Sequence, residues 1–258
     1  MRDMKRQSRW VLRVSFGACL LLFMASAAGA EDVTSQVPFV GCKSDGQMGP
    51  LAAPKGKDLP VSLPPATAQH LAYYKAKYGI GVLGPRGWNC FGAYGSSGSS
   101  LFVSPEQLDS KKFFGSSWNG FSASAIQLSV SIGDTSGRFE VAEVVARVFP
   151  AHKSFVDDVI KQGIQPPSDF PFGPYPKDKL TYKSHEIVEY ETPAQSEGLG
   201  TKSRLRKNAD PIRGVEILSG EALDLLSLAV QLPKDLSDLA PIIVEQVEKD
   251  AKDVEHAE

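Results

Sequence analysis

Four histidines, His70, His152, His185 and His256, are the first residues to test for acid–base or metal chemistry. None forms HxH, HxxxH or HExxH, the spacings that bring two imidazoles to one metal ion. Zinc is therefore not expected, and each histidine reads as a surface or hydrogen-bonded side chain. The serine-rich turns suggest a hydrolase, but a nucleophile elbow needs GxSxG on a strand-to-helix turn that strains and exposes the serine. Neither Gly95-Ser96-Ser97-Gly98 nor Gly115-Ser116-Ser117-Trp118 has that spacing. Serine and glycine also populate turns for conformational reasons alone. Asp134-Thr135-Ser136-Gly137 resembles the aspartic-protease Asp-Thr-Gly, but Ser136 interrupts it and no second copy follows. GxGxxG and GxxxxGK are both missing, so no nucleotide cofactor is expected. The catalytic set is read as empty, and no cofactor is assigned.

Two further groups of residues stand out. Cys42 and Cys90 remain once the first 30 residues are set aside. There is no CxxC, and Cys90 has no histidine near it in sequence, so a disulfide is expected rather than a catalytic thiol. It would close a loop of roughly fifty residues and stabilise the fold by roughly 4 kcal/mol. Around Cys90 runs Gly84-Pro85-Arg86-Gly87-Trp88-Asn89-Cys90-Phe91-Gly92-Ala93-Tyr94-Gly95. One reading is a bend that packs Trp88 and Phe91 under the bridge. The other is a binding surface for a sugar or peptide, with Arg86, Trp88 and Tyr94 beside glycines that allow close approach.

The N-terminus points to export. Arg2, Lys5, Arg6, Arg9 and Arg13 face one acid, Asp3, and an apolar run from Val14 to about Ala25 follows. Ala25-Ser26-Ala27-Ala28-Gly29-Ala30 then supplies small residues, so a signal peptide cleaved after Ala30, with Ala28 and Ala30 in the peptidase pockets and Glu31 as the new N-terminus, is expected. The apolar run is shorter than the ~20 residues of a spanning helix. Glu31 rather than cysteine follows the cut, so no lipid anchor is expected. Cleavage removes five bases and one acid, moving the formal net charge from −2 to −6. A mildly acidic exported chain does not suit nucleic acid, whose phosphates demand a basic surface.

The elements that must position these residues follow from periodicity and punctuation. Residues 31–65, rich in proline and glycine, read as an irregular arm, and Ala66–Lys77 reads as a helix whose buried face holds Leu71, Tyr74 and Tyr78. Strands are expected at Gly81–Leu83, Cys90–Tyr94 and Leu101–Ser104, the last two as a hairpin around Gly95–Ser99. Ser124–Ile132 alternates cleanly, with Ala125, Gln127, Ser129 and Ser131 opposite Ile126, Leu128, Val130 and Ile132, which predicts a strand with one wet face. Phe139, Ala142, Val145, Ala146 and Phe149 have helical spacing, and a second helix is expected over Lys153–Lys161. Five prolines make 164–178 a rigid loop. Strands follow at Thr181–Tyr182, Glu186–Thr192, Gly214–Leu218 and Leu223–Leu232. The polar stretch 193–211 between them, with Gly198, Gly200, Lys202 and Arg204, is long enough to suggest function or mobility. A last helix starts near Asp238, with Leu239, Ile243, Val247 and Ala251 as its apolar stripe, and 253–258 is a polar tail. Elements in clusters rather than strict β-α alternation predict an α+β fold. The expectation is a mostly antiparallel sheet with about four helices in one domain over 66–252, with one disulfide.

Val82-Leu83-Gly84-Pro85-Arg86-Gly87-Trp88-Asn89-Cys90-Phe91-Gly92, with Gly41–Gln47 before it and Glu197–Thr201 after it, resembles a family of uncharacterised exported bacterial proteins. The resemblance covers about Val40 to Val247 and implies export and no particular activity. A fainter likeness, at the level of fold, is to PsbP/Mog1-like domains. Pro85-Arg86-Gly87-Trp88 is similar to the turn that ends an early strand there, and Leu223–Val247 to the late strand that runs into a last helix. The functional expectation is an exported, periplasmic or secreted, non-catalytic domain that binds a protein or cell-envelope component, with no membrane association after cleavage. A cell-envelope hydrolase with a dispersed site and a purely structural protein are the alternatives.

Overall fold

The computed structural model describes residues 34–255, so the signal-peptide expectations at Ala28, Ala30 and Glu31 lie outside the described residues. Four short strands open the described chain: β1 (Thr34–Val37), β2 (Phe39–Gly41), β3 (Ser44–Gly46) and β4 (Leu59–Ser62). A one-turn helix α1 (Pro65–Ala68) leads to β5 (Leu71–Lys75), β6 (Val82–Pro85), β7 (Asn89–Gly95) and β8 (Gly98–Ser104). The one-turn α2 (Ser110–Phe113), β9 (Ala125–Ser131), α3 (Arg138–Val148) and α4 (Lys153–Lys161) come next. The chain then runs through β10 (Lys179–Tyr182), β11 (Ile187–Thr192), β12 (Ile212–Ser219) and β13 (Asp224–Gln231) into α5 (Leu239–Glu255).

Eight strands form the main sheet in the order β10-β11-β12-β13-β9-β8-β7-β3. Every pair is antiparallel except β3 with β7. The fold is therefore the expected α+β type on a mostly antiparallel sheet, with five helices among the described residues. β2, β5 and β6 make a second sheet, and β1 pairs with β4.

Alternation along the strands decides what each face of the main sheet meets. Leu101, Val103, Ile126, Leu128, Val215, Ile217, Leu226, Leu228 and Val230 point one way, into a core shared with α5 and the small sheet. The apolar stripe of α5 supplies Leu239, Ile243 and Val247 to that core, as its spacing predicts. Phe91, Phe102, Ala125, Val188, Tyr190, Leu225 and Ala229 point the other way, toward α3, α4 and the loops that flank them. α3 buries Val141, Ala142, Val144, Val145, Ala146 and Val148 against this second face. Pro150 follows it and begins a 3₁₀ turn, because proline cannot donate to the preceding helix.

Two expectations need correcting. Ala66–Lys77 is not one helix: after α1 the chain runs extended as β5, the central strand of the small sheet. Leu71, Ala72, Tyr73 and Tyr74 are all buried, so both faces of the strand are covered and no alternation shows. Tyr78, expected on a buried face, is 45% exposed. The stretch 31–65 is not irregular throughout either, since it carries β1 to β4. These strands have three or four residues each, and β2 and β3 pair with segments far along the chain, so no local pattern marks them.

Cys42 and Cys90 are bonded, with their Cα atoms 5.4 Å apart. The bridge sits where the chain leaves β2 in the small sheet and enters β3 in the large one. It ties that crossing to β7. Cys90 and Phe91 are consecutive on β7 and point to opposite faces, so the bend does not pack Trp88 and Phe91 together under the bridge. Trp88 packs against the core of the α5 side, while Phe91 joins Phe102, Phe113, Trp118 and Phe121 on the other.

Candidate functional site

The wet face predicted for β9 does not face bulk solvent. It is the floor of a cleft of about 570 Å³ between the middle of the main sheet, α3 and the loop after β11. The register of four neighbouring strands builds that floor. Ser100 of β8 stands opposite Ser129 of β9, Ser129 opposite Ser227 of β13, and Ser227 opposite Glu216 of β12. One polar side chain per strand thus forms a row across the sheet, flanked at its ends by Ala93 of β7 and Val188 of β11.

The row is hydrogen-bonded along its length. The Ser100 and Ser129 hydroxyls are 2.8 Å apart. Gln127, two residues before Ser129 on the same face, donates from Nε2 to the Ser129 hydroxyl at 2.9 Å. Ser227 donates to Glu216 Oε2. Glu216 is 3% exposed, and burial pushes its carboxyl up to about 8, only partly offset by the Ser227 bond. At neutral pH the group is mostly protonated, so it can donate as well as accept a hydrogen bond. Tyr190 borders Glu216, and its hydroxyl donates to the Leu228 carbonyl at 3.0 Å. Burial and the nearby Glu216 and Asp178 carboxylates push that phenol far up.

The roof is the polar stretch after β11, held in place by hydrogen bonds. Asp178 accepts from the Leu199 N–H at 2.7 Å and from the Thr192 hydroxyl at 2.8 Å. The same Thr192 oxygen accepts the Gly200 N–H at 3.0 Å. Arg204 N–H donates to Gln127 Oε1 at 2.7 Å, which sews the roof to the floor. Lys202 pairs with Glu143 of α3 across the mouth. Glu140, Phe113 and Phe114 complete the rim.

A second, smaller cleft of about 450 Å³ adjoins the first at the β7–β8 turn. Tyr78 and Tyr94 pack there with ring centroids 4.9 Å apart, and Met48 beside them is 82% exposed. The Tyr94 hydroxyl donates to the Gly49 carbonyl at 2.6 Å.

Arg86, Trp88 and Tyr94 do not form one surface. Arg86 and Trp88 precede β7 and Tyr94 lies near its far end, about 20 Å away for six extended residues. Arg86 donates from Nε to the Leu71 carbonyl at 3.2 Å, and the Trp88 N–H donates to the Tyr74 hydroxyl at 3.1 Å. Of the three, only Tyr94 lines the clefts, and it lines both. Glu216 and Ser227 carry no motif, although each is the one polar residue in a short apolar run, Val215-Glu216-Ile217-Leu218 and Leu225-Leu226-Ser227-Leu228.

His70 and His185 are exposed and His152 lies in the turn after α3; none of the three lines either cleft. Among the described residues, no three His, Cys, Asp or Glu side chains are placed to hold a metal ion. No helix among them is long and apolar enough to cross a membrane.

Fold and site together define an α+β domain whose main sheet carries a roofed polar cleft on one face. Comparison with protein-family models, with curated proteins and with solved structures returns no match.

Proposed function

We propose that this protein is an exported binding domain that takes a small polar ligand, a soluble solute or an exposed piece of the cell envelope, into the cleft above the main sheet. The observation that carries the reading is the row Ser100–Ser129–Ser227–Glu216, which places polar side chains where a sheet normally buries apolar ones. A cleft of about 570 Å³ is the usual size for a small-molecule site, which offers a few polar groups on an otherwise packed wall. Export is supported by the charge and hydropathy pattern of residues 1–30 and by the Cys42–Cys90 bridge, which suits an oxidising compartment.

Binding fits better than hydrolysis because of where the serine hydroxyls go. Ser100 bonds to Ser129, Ser129 receives Gln127, and Ser227 donates to Glu216. A serine nucleophile needs a base that takes its proton, and a neutral buried carboxyl is a poor one. The deciding experiment is an assay of the purified protein on ester, peptide and glycoside substrates, beside ligand-detected binding with a small-metabolite library. Binding without turnover is expected. Turnover lost on Ser227→Ala or Glu216→Gln would replace this reading with the hydrolase one.

A further inference from the structure

Glu216 is more than the polar row requires. A serine or threonine at that position would continue the row without burying an ionisable group. Its Oε2 receives the Ser227 hydroxyl, whereas Oε1 has no hydrogen-bond partner among the described residues and the side chain lines the cleft. This is a buried carboxyl with one oxygen left for something that enters.

The charged and titratable groups around it narrow what that something is. From β11 comes Tyr190, whose proton is committed to the Leu228 carbonyl. β9 and β13 line the cleft with no charged side chain; their polar contributions are Gln127, Ser129, Ser131 and Ser227. α3 offers Glu140 and Glu143, and the roof offers Lys202 and Arg204. Lys202 is already paired with Glu143, and both Lys202 and Arg204 are exposed side chains at the mouth. No cation among the described residues offsets the burial of Glu216. An anionic ligand would therefore reach a floor with no counter-charge. A hydroxyl would gain an ordinary hydrogen bond. An ammonium would gain a charge-assisted one and supply the counter-charge that is missing. Phe114, an exposed residue lining the same cleft, adds an aromatic ring of the kind that attracts cations.

We propose that the cleft selects ligands carrying a protonated primary amine, which donates to Glu216 Oε1 and to the Ser129 hydroxyl oxygen on the cleft floor. The inference rests on the cleft being the ligand site, as argued above. Seating the ammonium converts the neutral carboxyl to a carboxylate, and its proton leaves to solvent.

The test uses cyclohexylamine, cyclohexanol and cyclohexanecarboxylate, three rings that differ in the head group. Each is titrated into the ¹⁵N-labelled protein at pH 7 while the amides of Gln127, Ser129, Glu216, Ser227 and Ala229 are followed. The amine is expected to shift these amides with an affinity about tenfold or more above the alcohol, and the carboxylate to bind weakest. Glu216→Gln is expected to erase the preference while leaving the alcohol bound. Calorimetry of the unmodified protein in two buffers of different ionisation enthalpy should show proton release with the amine and none with the alcohol. Equal binding of amine and alcohol, a preference that survives Glu216→Gln, or no proton release would overturn the amine class and leave the cleft a ligand site. No shift at the cleft amides with any of the three would overturn both.

Discussion

Ser227 stands directly opposite Glu216 across the β12–β13 pair, and its hydroxyl donates to a carboxyl that the rest of the fold leaves only 3% exposed. A hydroxyl is too weak a partner to stabilise a buried carboxylate, so burial decides the protonation state. The pair is thus neutral and hydrogen-bonded near neutral pH, and charged only when something changes around it.

That relationship fixes how stability depends on pH. The carboxyl is raised from 4.5 in the unfolded chain to about 8 in the fold. The stability it contributes is therefore fully present below about pH 4.5 and is lost progressively as pH rises through about 8. At 1.4 kcal/mol per unit, the loss is at most about 5 kcal/mol. Glu216→Gln keeps the shape and hydrogen-bonding capacity and cannot ionise. Denaturant unfolding at pH 5 and pH 9 should show the variant close to the parent at pH 5 and more stable at pH 9. A parent with the same pH profile as the variant would show that the carboxyl is not dry.

Much of the fold was legible because its elements are long enough to show a period. β9, α3, α4 and α5 lie close to where alternation or helical spacing puts them. β5 was missed because Leu71–Tyr74 are buried on both faces and look alike in a helix or a strand. The cleft was half legible. Gln127, Ser129 and Ser131 mark a wet face, but wetness from solvent and wetness from a roofed cleft give the same alternation. Only the register, which sets Ser129 beside Ser227 and Glu216, distinguishes them, and register between strands about a hundred residues apart leaves no local trace. The stretch 193–211 was marked by its length, and its role as a roof depends on Asp178, outside it in sequence.

The disulfide should matter more for stability than for the shape of the cleft. Cys42 and Cys90 join the small sheet to the edge of the large one, away from the Ser227–Glu216 row. Replacing both with serine, or reducing the bond, should cost about 4 kcal/mol. Equilibrium unfolding with and without reductant measures it. Thiol labelling of the oxidised, denatured protein should find neither cysteine free, and two labelled thiols would remove the bridge from the account.

Gly214 is required by the close approach of β12 to its neighbours. A Cβ there would lie 1.8 Å from the Leu228 carbonyl oxygen and 2.6 Å from the Tyr190 hydroxyl. Gly214→Ala should therefore push Tyr190 off the bond it makes to Leu228 and cost about 1–3 kcal/mol. Tyr190→Phe removes the hydroxyl that the methyl would strike but leaves the Leu228 oxygen in place. The double variant should recover only part of the loss, and full recovery would show that the backbone contact is not limiting.

Asp178, rather than the visible ion pair, should set how firmly the roof is held. Its carboxylate binds the Leu199 N–H and the Thr192 hydroxyl, and Thr192 in turn binds the Gly200 N–H. Gly198 lies against it so closely that a Cβ would sit 2.0 Å from Oδ1, so the segment reaches the carboxylate only because residue 198 is glycine. Asp178→Ala leaves these donors without their partner in a half-buried site, at a cost of about 1–3 kcal/mol. Lys202→Met breaks a pair whose lysine side chain is 47% exposed, at a cost under about 1 kcal/mol. Hydrogen exchange separates the two effects. Asp178→Ala should speed exchange at Leu199, Gly200 and Arg204 together, because they belong to one hydrogen-bonded segment, while Lys202→Met should leave them near the parent rate. The opposite ranking would mean that the roof is clamped from α3, and that the mouth of the cleft opens by breaking the Lys202–Glu143 pair.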